Sequence, residues 1–178
     1  MVRPVRRTGV GLAALAATLL AVAAAAPPAT TSSAPLIQAE LDGRPIPAVD
    51  VGRFACHDLD FPIIRCFGSP AMLDSAQAAR SLVLPGDLSS PAALTSYVKV
   101  FPDRDLRGNP AVLSQAYDDL SIIGWNDRIS SFQGLGGAGG TFFEHIYRGG
   151  AAYSFSAYQT VTYVGDRYND TFSSVVPR

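Results

Sequence analysis

The 178-residue chain contains one lysine (Lys99), one tryptophan (Trp125), two histidines (His57 and His145) and two cysteines (Cys56 and Cys66). Each scarcity excludes something. The basic residues number 14 against 15 acidic ones, and a single lysine leaves no cationic footprint for nucleic acid or anionic lipid. The Cys56-His57-Asp58 run lacks further ligands of its own kind, and the other histidine lies far along the chain, so a structural zinc site is not expected. No Gly-x-Ser-x-Gly elbow occurs to turn a serine into a nucleophile beside His57 and Asp58, so no enzyme activity is expected. The glycine-rich stretch 134–140 is not followed by Lys-Ser/Thr, which argues against a phosphate loop.

One long apolar run is present, at the start. Arg3, Arg6 and Arg7 precede a run rich in alanine and leucine at 10–26, and small residues at 23–26 give way to Pro27-Pro28. This order is that of a secretory signal peptide spanning 1–26. Its removal takes three arginines and no acid, leaving 11 basic against 15 acidic side chains and a formal charge of about −4. The expected product is a secreted protein with no membrane association after cleavage. Export makes a Cys56–Cys66 disulfide the simplest use of the two thiols. Closing so short a loop stabilises by about 2.7 kcal/mol on the chain-entropy estimate. The alanine-rich, lysine-poor composition fits a bacterial, GC-rich coding background.

Composition divides the rest. Residues 27–47, rich in Pro, Ala, Thr and Ser, read as a flexible linker. Residues 48–95 read as an accessory region containing the disulfide and one short helix over 71–82, with Ser69 as its cap and Pro70 at its first position. From residue 96 the texture becomes that of short strands: Tyr97–Phe101, Ala111–Leu113, Leu120–Ile123 and runs at 142–146, 151–156, 160–164 and 172–176. Such short strands with turn signals between them fit an all-β sandwich.

Within that region the chain repeats itself. Asn126-Asp127-Arg128-Ile129-Ser130-Ser131 returns 43 residues later as Asn169-Asp170-Thr171-Phe172-Ser173-Ser174. Upstream, Phe101-Pro102-Asp103-Arg104-Asp105-Leu106-Arg107-Gly108 is echoed by Phe142-Phe143-Glu144-His145-Ile146-Tyr147-Arg148-Gly149, an offset of 41. Two landmarks in the same order at nearly one offset define an internal duplication. Each copy concentrates carboxylate, amide and hydroxyl oxygens, the donors that a hard cation such as calcium collects.

The paired N-D-x-x-S-S stretches, each preceded by an aromatic, four residues, a Leu or Tyr, one residue and a glycine, resemble the calcium-binding βγ-crystallins of microbial type. The resemblance covers 96–178 and implies a double Greek key sandwich, with keys at 96–134 and 141–178. Leu106 departs from the aromatic ring usual at its position. The resemblance further implies two Ca2+ sites, each shared between the motifs. One would use Asp127, the Arg128 carbonyl and Ser173; the other Asp170, the Thr171 carbonyl and Ser130. Carbonyls of Pro102 and Phe143 would join them from the opposing hairpins, and Asn126 and Asn169 would brace the loops by hydrogen bonds to backbone. Trp125, Tyr117, Tyr147, Tyr158 and Tyr163 are expected to pack the sandwich or brace its corners.

The expected function is that of a secreted calcium-binding protein, with an extracellular protein partner left open. The alternative is an inhibitor of extracellular metalloproteases with the same fold, which would present the Cys56–Cys66 segment or the glycine connector to the enzyme.

Overall fold

The computed structural model describes residues 36–81 and 96–178. The expected signal peptide and the first part of the expected linker lie outside the described residues. The described strands, in chain order, are β1 Gln38–Leu41, β2 Arg44–Ile46, β3 Ala55–Asp60, β4 Ile63–Phe67, β5 Tyr97–Phe101, β6 Ala111–Leu113, β7 Ser131–Leu135, β8 Gly140–His145, β9 Gly149–Phe155, β10 Thr160–Val161 and β11 Ser174–Pro177, with one α-helix, α1 Pro70–Ser81, between β4 and β5. They form an eight-stranded sheet in the order β10-β7-β5-β6-β3-β4-β1-β2 and a three-stranded sheet in the order β11-β8-β9.

Period-two burial sets the inner face. Val98 and Val100 of β5 point inward beside Phe132 of β7, and Phe142 and Val175 answer from the smaller sheet. The rings interlock: Phe132 lies 5.1 Å from Phe142 and 5.0 Å from Phe155, and Phe142 lies 5.0 Å from Phe172. The outer face of the large sheet is covered by α1, whose Leu73 is buried against Ala55 and Val112. Ser69 caps that helix with its hydroxyl toward the Met72 amide, and Lys99 ties it down through Asp74 at 2.6 Å.

Four expectations are corrected. The accessory region does not end at the sandwich: β3 pairs in parallel with β6, matching Cys56 with Ala111 and His57 with Val112, so residues 38–67 extend the first sheet. The expected linker contains the hairpin β1–β2, and β1 runs parallel to β4. Its weak alternation is enough because Ala39 is buried and Leu41 and Ile46 pack on the core. Leu120–Ile123 is a 3-10 turn rather than a strand. Asp119 accepts the Ser121 amide at 2.8 Å, and Leu120 and Ile123 are buried while Ser121 and Ile122 are exposed, a spacing of three. With α1 and the 3-10 turns, the described residues form a mixed α/β arrangement dominated by strand, not an all-β one.

The disulfide joins directly opposed residues of β3 and β4, with Cα atoms 4.0 Å apart. With both sulfurs so committed, neither is a zinc ligand. The segment between them is paired strand turning at Phe61-Pro62, and its end is clamped by Arg65 on Asp60 at 2.7 Å. The glycine connector likewise runs from the end of β7 into the start of β8.

Two buried polar groups follow the disulfide on β3. Asp58 accepts the Ser114 amide at 2.6 Å, the Gln115 amide at 3.2 Å and the Tyr117 hydroxyl at 3.0 Å. Burial pushes the Asp58 pKa up against those donors, and burial with Asp58 beside it pushes Tyr117 up. His57 is buried against Phe67, and burial lowers its pKa to about 4, with Asp60 opposing and Arg80 and Arg65 adding to the effect.

A base whose folded pKa is depressed binds its proton first in the unfolded chain. The His57 contribution is therefore fully present above pH 6.5 and is lost as pH falls from 6.5 toward about 4. Urea denaturation across that window should show wild type losing up to about 1.4 kcal/mol per pH unit more than His57→Gln, one proton's worth. Separately, the double substitution Cys56→Ala, Cys66→Ala should lower unfolding stability by about 2–3 kcal/mol in the same assay.

Candidate functional site

The two hexapeptides face each other across a local pseudo-two-fold axis that is visible in backbone hydrogen bonds. The Asp127 amide donates to the Phe172 carbonyl at 3.0 Å, and the Asp170 amide donates to the Ile129 carbonyl at 3.4 Å. Leu120 donates to Ser173, and Val164 donates to Ser130. Each half also reaches into the other's sheet: β10 pairs with β7, while Tyr117 bridges Val175 of β11. The motifs are thus juxtaposed by strand exchange, not by proximity in sequence.

Hydrogen bonding also corrects the register of the upstream repeat. Ser130 donates its amide to the Phe101 carbonyl, and Ser173 donates its amide to that of Phe143. The hydroxyl of Ser131 donates to the Asp103 carbonyl at 2.6 Å and accepts the Leu106 amide at 3.1 Å. The hydroxyl of Ser174 donates to the His145 carbonyl at 2.8 Å and accepts the Arg148 amide at 3.1 Å. Left-handed backbone falls on Asp105 and Leu106 in one hairpin and on Tyr147 and Arg148 in the other. Every pair is offset by 42, so Phe101 matches Phe143, Leu106 matches Arg148 and Gly108 matches Gly150. Phe142-Phe143 and Gly149-Gly150 each offer two alignments one residue apart, and the local pattern alone chose the wrong one. The counterpart of the Pro102 carbonyl is therefore that of Glu144. The Phe143 carbonyl is already engaged by Ser173.

The carboxylates are presented in the same way in both loops. Asp127 and Asp170 adopt left-handed backbone at φ 54° and 55°, which aspartate tolerates better than most residues. One oxygen of each is held by the preceding asparagine: the Asn126 amide donates to Asp127 Oδ2 at 2.6 Å, and that of Asn169 to Asp170 Oδ2 at 2.7 Å. The asparagines thus brace the carboxylates rather than the backbone. The other oxygen faces the opposite motif. Ser173 Oγ lies 3.4 Å from Asp127 Oδ1, and Ser130 Oγ lies 3.3 Å from Asp170 Oδ1 and donates to the Pro102 carbonyl at 2.7 Å.

The remaining predicted residues serve through their backbone or lie to one side. The Arg128 guanidinium turns to the Gly124 carbonyl at 3.4 Å and over the Trp125 ring, and the Thr171 hydroxyl donates to the Tyr168 carbonyl. Trp125 is fully buried, as expected of a packing residue. Tyr147 and Tyr158 are not: they are 75% and 72% exposed. A shallow recess of about 430 Å³ between the motifs is lined by Asp127, Asp170, Thr171 and Ser173, with Glu144 and His145 completing its wall. Sequence reasoning missed that pair because the misaligned register placed Phe143 at the hairpin carbonyl. Glu144 Oε2 accepts the Ala151 amide at 3.1 Å, which turns that carboxylate back on its own hairpin.

The donors that converge are hard oxygens, and the set fits a hard cation in kind. Among the described residues no three His, Cys, Asp or Glu side chains gather as a metal cluster; each half offers one carboxylate with hydroxyl and carbonyl oxygens.

No family model matches the chain, and no curated protein matches it. Among solved structures it is similar to a βγ-crystallin domain from Clostridium beijerinckii at 22% identity, over 46% of this chain and 95% of that one, with a TM-score of 0.41. It is similar to one from Flavobacterium johnsoniae at 22% identity, over 46% and 92%, TM-score 0.41, and to an archaeal βγ-crystallin at 20% identity, over 46% and 95%, TM-score 0.41. The likeness is partial and extends over 46% of the chain.

The corrected register makes Ser131 and Ser174 the latches of the two hairpins, each fully buried with both bonding capacities used. Ser131→Ala and Ser174→Ala should each destabilise by about 1–3 kcal/mol in chemical denaturation, since each leaves a buried amide and carbonyl unpaired.

Proposed function

We propose that the protein is an exported calcium-binding protein in which two ions rigidify a duplicated Greek-key domain. The reading rests on one observation, the reciprocal approach of Asp127 Oδ1 to Ser173 Oγ and of Asp170 Oδ1 to Ser130 Oγ at 3.4 and 3.3 Å. Each pair unites oxygens from both halves, so an ion between them would tie the halves together. One site would use Asp127, the Arg128 carbonyl, Ser173 and the Glu144 carbonyl. The other would use Asp170, the Thr171 carbonyl, Ser130 and the Pro102 carbonyl. Water would complete the six to eight oxygens that calcium takes.

Low ligand charge limits affinity. With one carboxylate per site, the expected dissociation constants lie at about 10⁻⁴ to 10⁻⁶ M. That range suits a calcium-rich exterior, which agrees with the basic and apolar amino-terminal segment and with the Cys56–Cys66 bridge. At free calcium ten times the dissociation constant, one site adds about 1.4 kcal/mol to stability. The role is one of binding: Asp58, the carboxylate beside His57, is committed to holding the 114–117 turn. Nucleic acid and membrane partners are not part of the reading, given the acidic balance of the chain.

Calorimetric titration with calcium chloride tests this. Two binding events are expected, with a rise in melting temperature. Asp127→Asn and Ser173→Ala should each weaken one event by tenfold or more, and Asp170→Asn and Ser130→Ala the other. Absence of heat and of any melting shift at millimolar calcium would falsify the reading.

A further inference from the structure

The two ligand loops are bonded alike but are not supported alike. Residues 48–67 lie before the duplicated region, and their first turn, the 3-10 helix Ala48–Arg53, packs on the 3-10 turn Leu120–Ile123 that leads into the first loop. The contact is backbone on backbone. A Cβ on Gly52 would collide with the Gly124 carbonyl, at 2.8 Å from its carbon and 2.9 Å from the Arg128 guanidinium. One on Gly124 would collide with the Val49 carbonyl. Only glycine at both positions permits so close an approach. The far end of the Ala48–Arg53 turn is fastened by Asn109, whose amide donates to the Arg53 carbonyl at 2.9 Å. The turn then passes through Phe54 into β3, which the disulfide staples to β4.

What this support holds is the run Gly124-Trp125-Asn126-Asp127. Trp125 is fully buried, its amide donates to the Leu120 carbonyl at 2.9 Å, and Arg128 spans from its ring to the Gly124 carbonyl. The second loop keeps the local contacts, the Tyr168 amide to the Gly165 carbonyl at 3.0 Å and Arg167 over the Tyr168 ring. What it lacks among the described residues is a glycine pressed on another backbone as Gly124 is on Val49. Tyr168 occupies the place of Trp125 and is only half-buried, Asp166 and Arg167 are exposed, and a Cβ on Gly165 would meet open space. The central amide bond follows the same order, at 3.0 Å for Asp127 and 3.4 Å for Asp170.

We infer that the Ala48–Arg53 turn is a positioning element for the first ligand loop, with Gly52 its key residue, so that the Asp127 site is preorganised without metal while the Asp170 site is ordered by it. The second half of this statement rests on the calcium reading; the first half does not. Preorganisation removes an ordering cost that binding must otherwise meet, so the Asp127 site fills first.

Amide hydrogen exchange in the metal-free intact protein tests the support directly. Trp125 and Asp127 should exchange at least about tenfold more slowly than Tyr168 and Asp170. Gly52→Ala should remove most of that difference by speeding the first loop and leaving the second unchanged. Asn109→Ala, which keeps both glycines and serves if Gly52→Ala does not fold, should do the same to a smaller degree. A loss of global stability would instead speed both loops together. Equal exchange in wild type, or equal acceleration of both loops in the variants, overturns the inference.

Titration with calcium chloride followed by amide resonances supplies the second arm. Asp127 and Arg128 should saturate before Asp170 and Thr171 in wild type, and their lead should disappear in the variant. An unchanged order in the variant overturns preorganisation as its cause. No shift at any of the four residues overturns the calcium reading alone, and the exchange result still decides whether the support exists.

Discussion

Each hexapeptide loop is completed by the other half of the duplication, and the rest of the candidate site follows from that exchange. The Asp127 amide needs the Phe172 carbonyl, the Asp170 amide needs the Ile129 carbonyl, and each carboxylate faces a serine that belongs to the opposite motif. Neither loop satisfies the amide of its aspartate alone, and a backbone group left unpaired away from water costs as much as a lost hydrogen bond. The bonding of the two loops is therefore symmetrical about the pseudo-two-fold axis.

The amino-terminal extension breaks that symmetry. Among the described residues it adds β3, β4, β1 and β2 at the β6 edge of the first sheet, beside the first half of the duplication. Its attachment is polar as well as apolar. Asp58, buried in β3, organises the Ser114–Tyr117 turn, and Tyr117 in turn bridges to β11 next to Ser173 and Ser174. A chain of hydrogen bonds thus runs from the disulfide-bearing hairpin to Val175, two residues beyond Ser173. This position accounts for a carboxylate placed where burial opposes its charge: three donors converge on it, and removing it would leave them unpaired.

Much of the site was legible before any fold was known, because the hexapeptide repeats at a constant offset and its residues are small and polar against an apolar background. Asp127, Asp170, Ser130 and Ser173 were found that way, and they do face one another. The upstream hairpin was less legible. Two adjacent phenylalanines and two adjacent glycines make alignments at 41 and 42 equally good as strings. The true register emerges only when the Ser130 and Ser173 amides are seen to bond Phe101 and Phe143. Leu120–Ile123 misled for a related reason: an apolar tetrapeptide has no period of its own, and the Asp119 cap with the left-handed Gly124 decides that it coils.

What the amino-acid order determined by itself was the duplication, the donor chemistry, the single possible disulfide and the short helix after Ser69. These depend on local composition and spacing, which a linear string carries in full. What only the tertiary structure decided was which carbonyl opposes which hydroxyl, and that residues 38–67 belong to the first sheet. Both are matters of strand pairing between segments distant along the chain. Register and sheet edges are chosen by burial and by backbone partners, and neither is written in the residues of one segment.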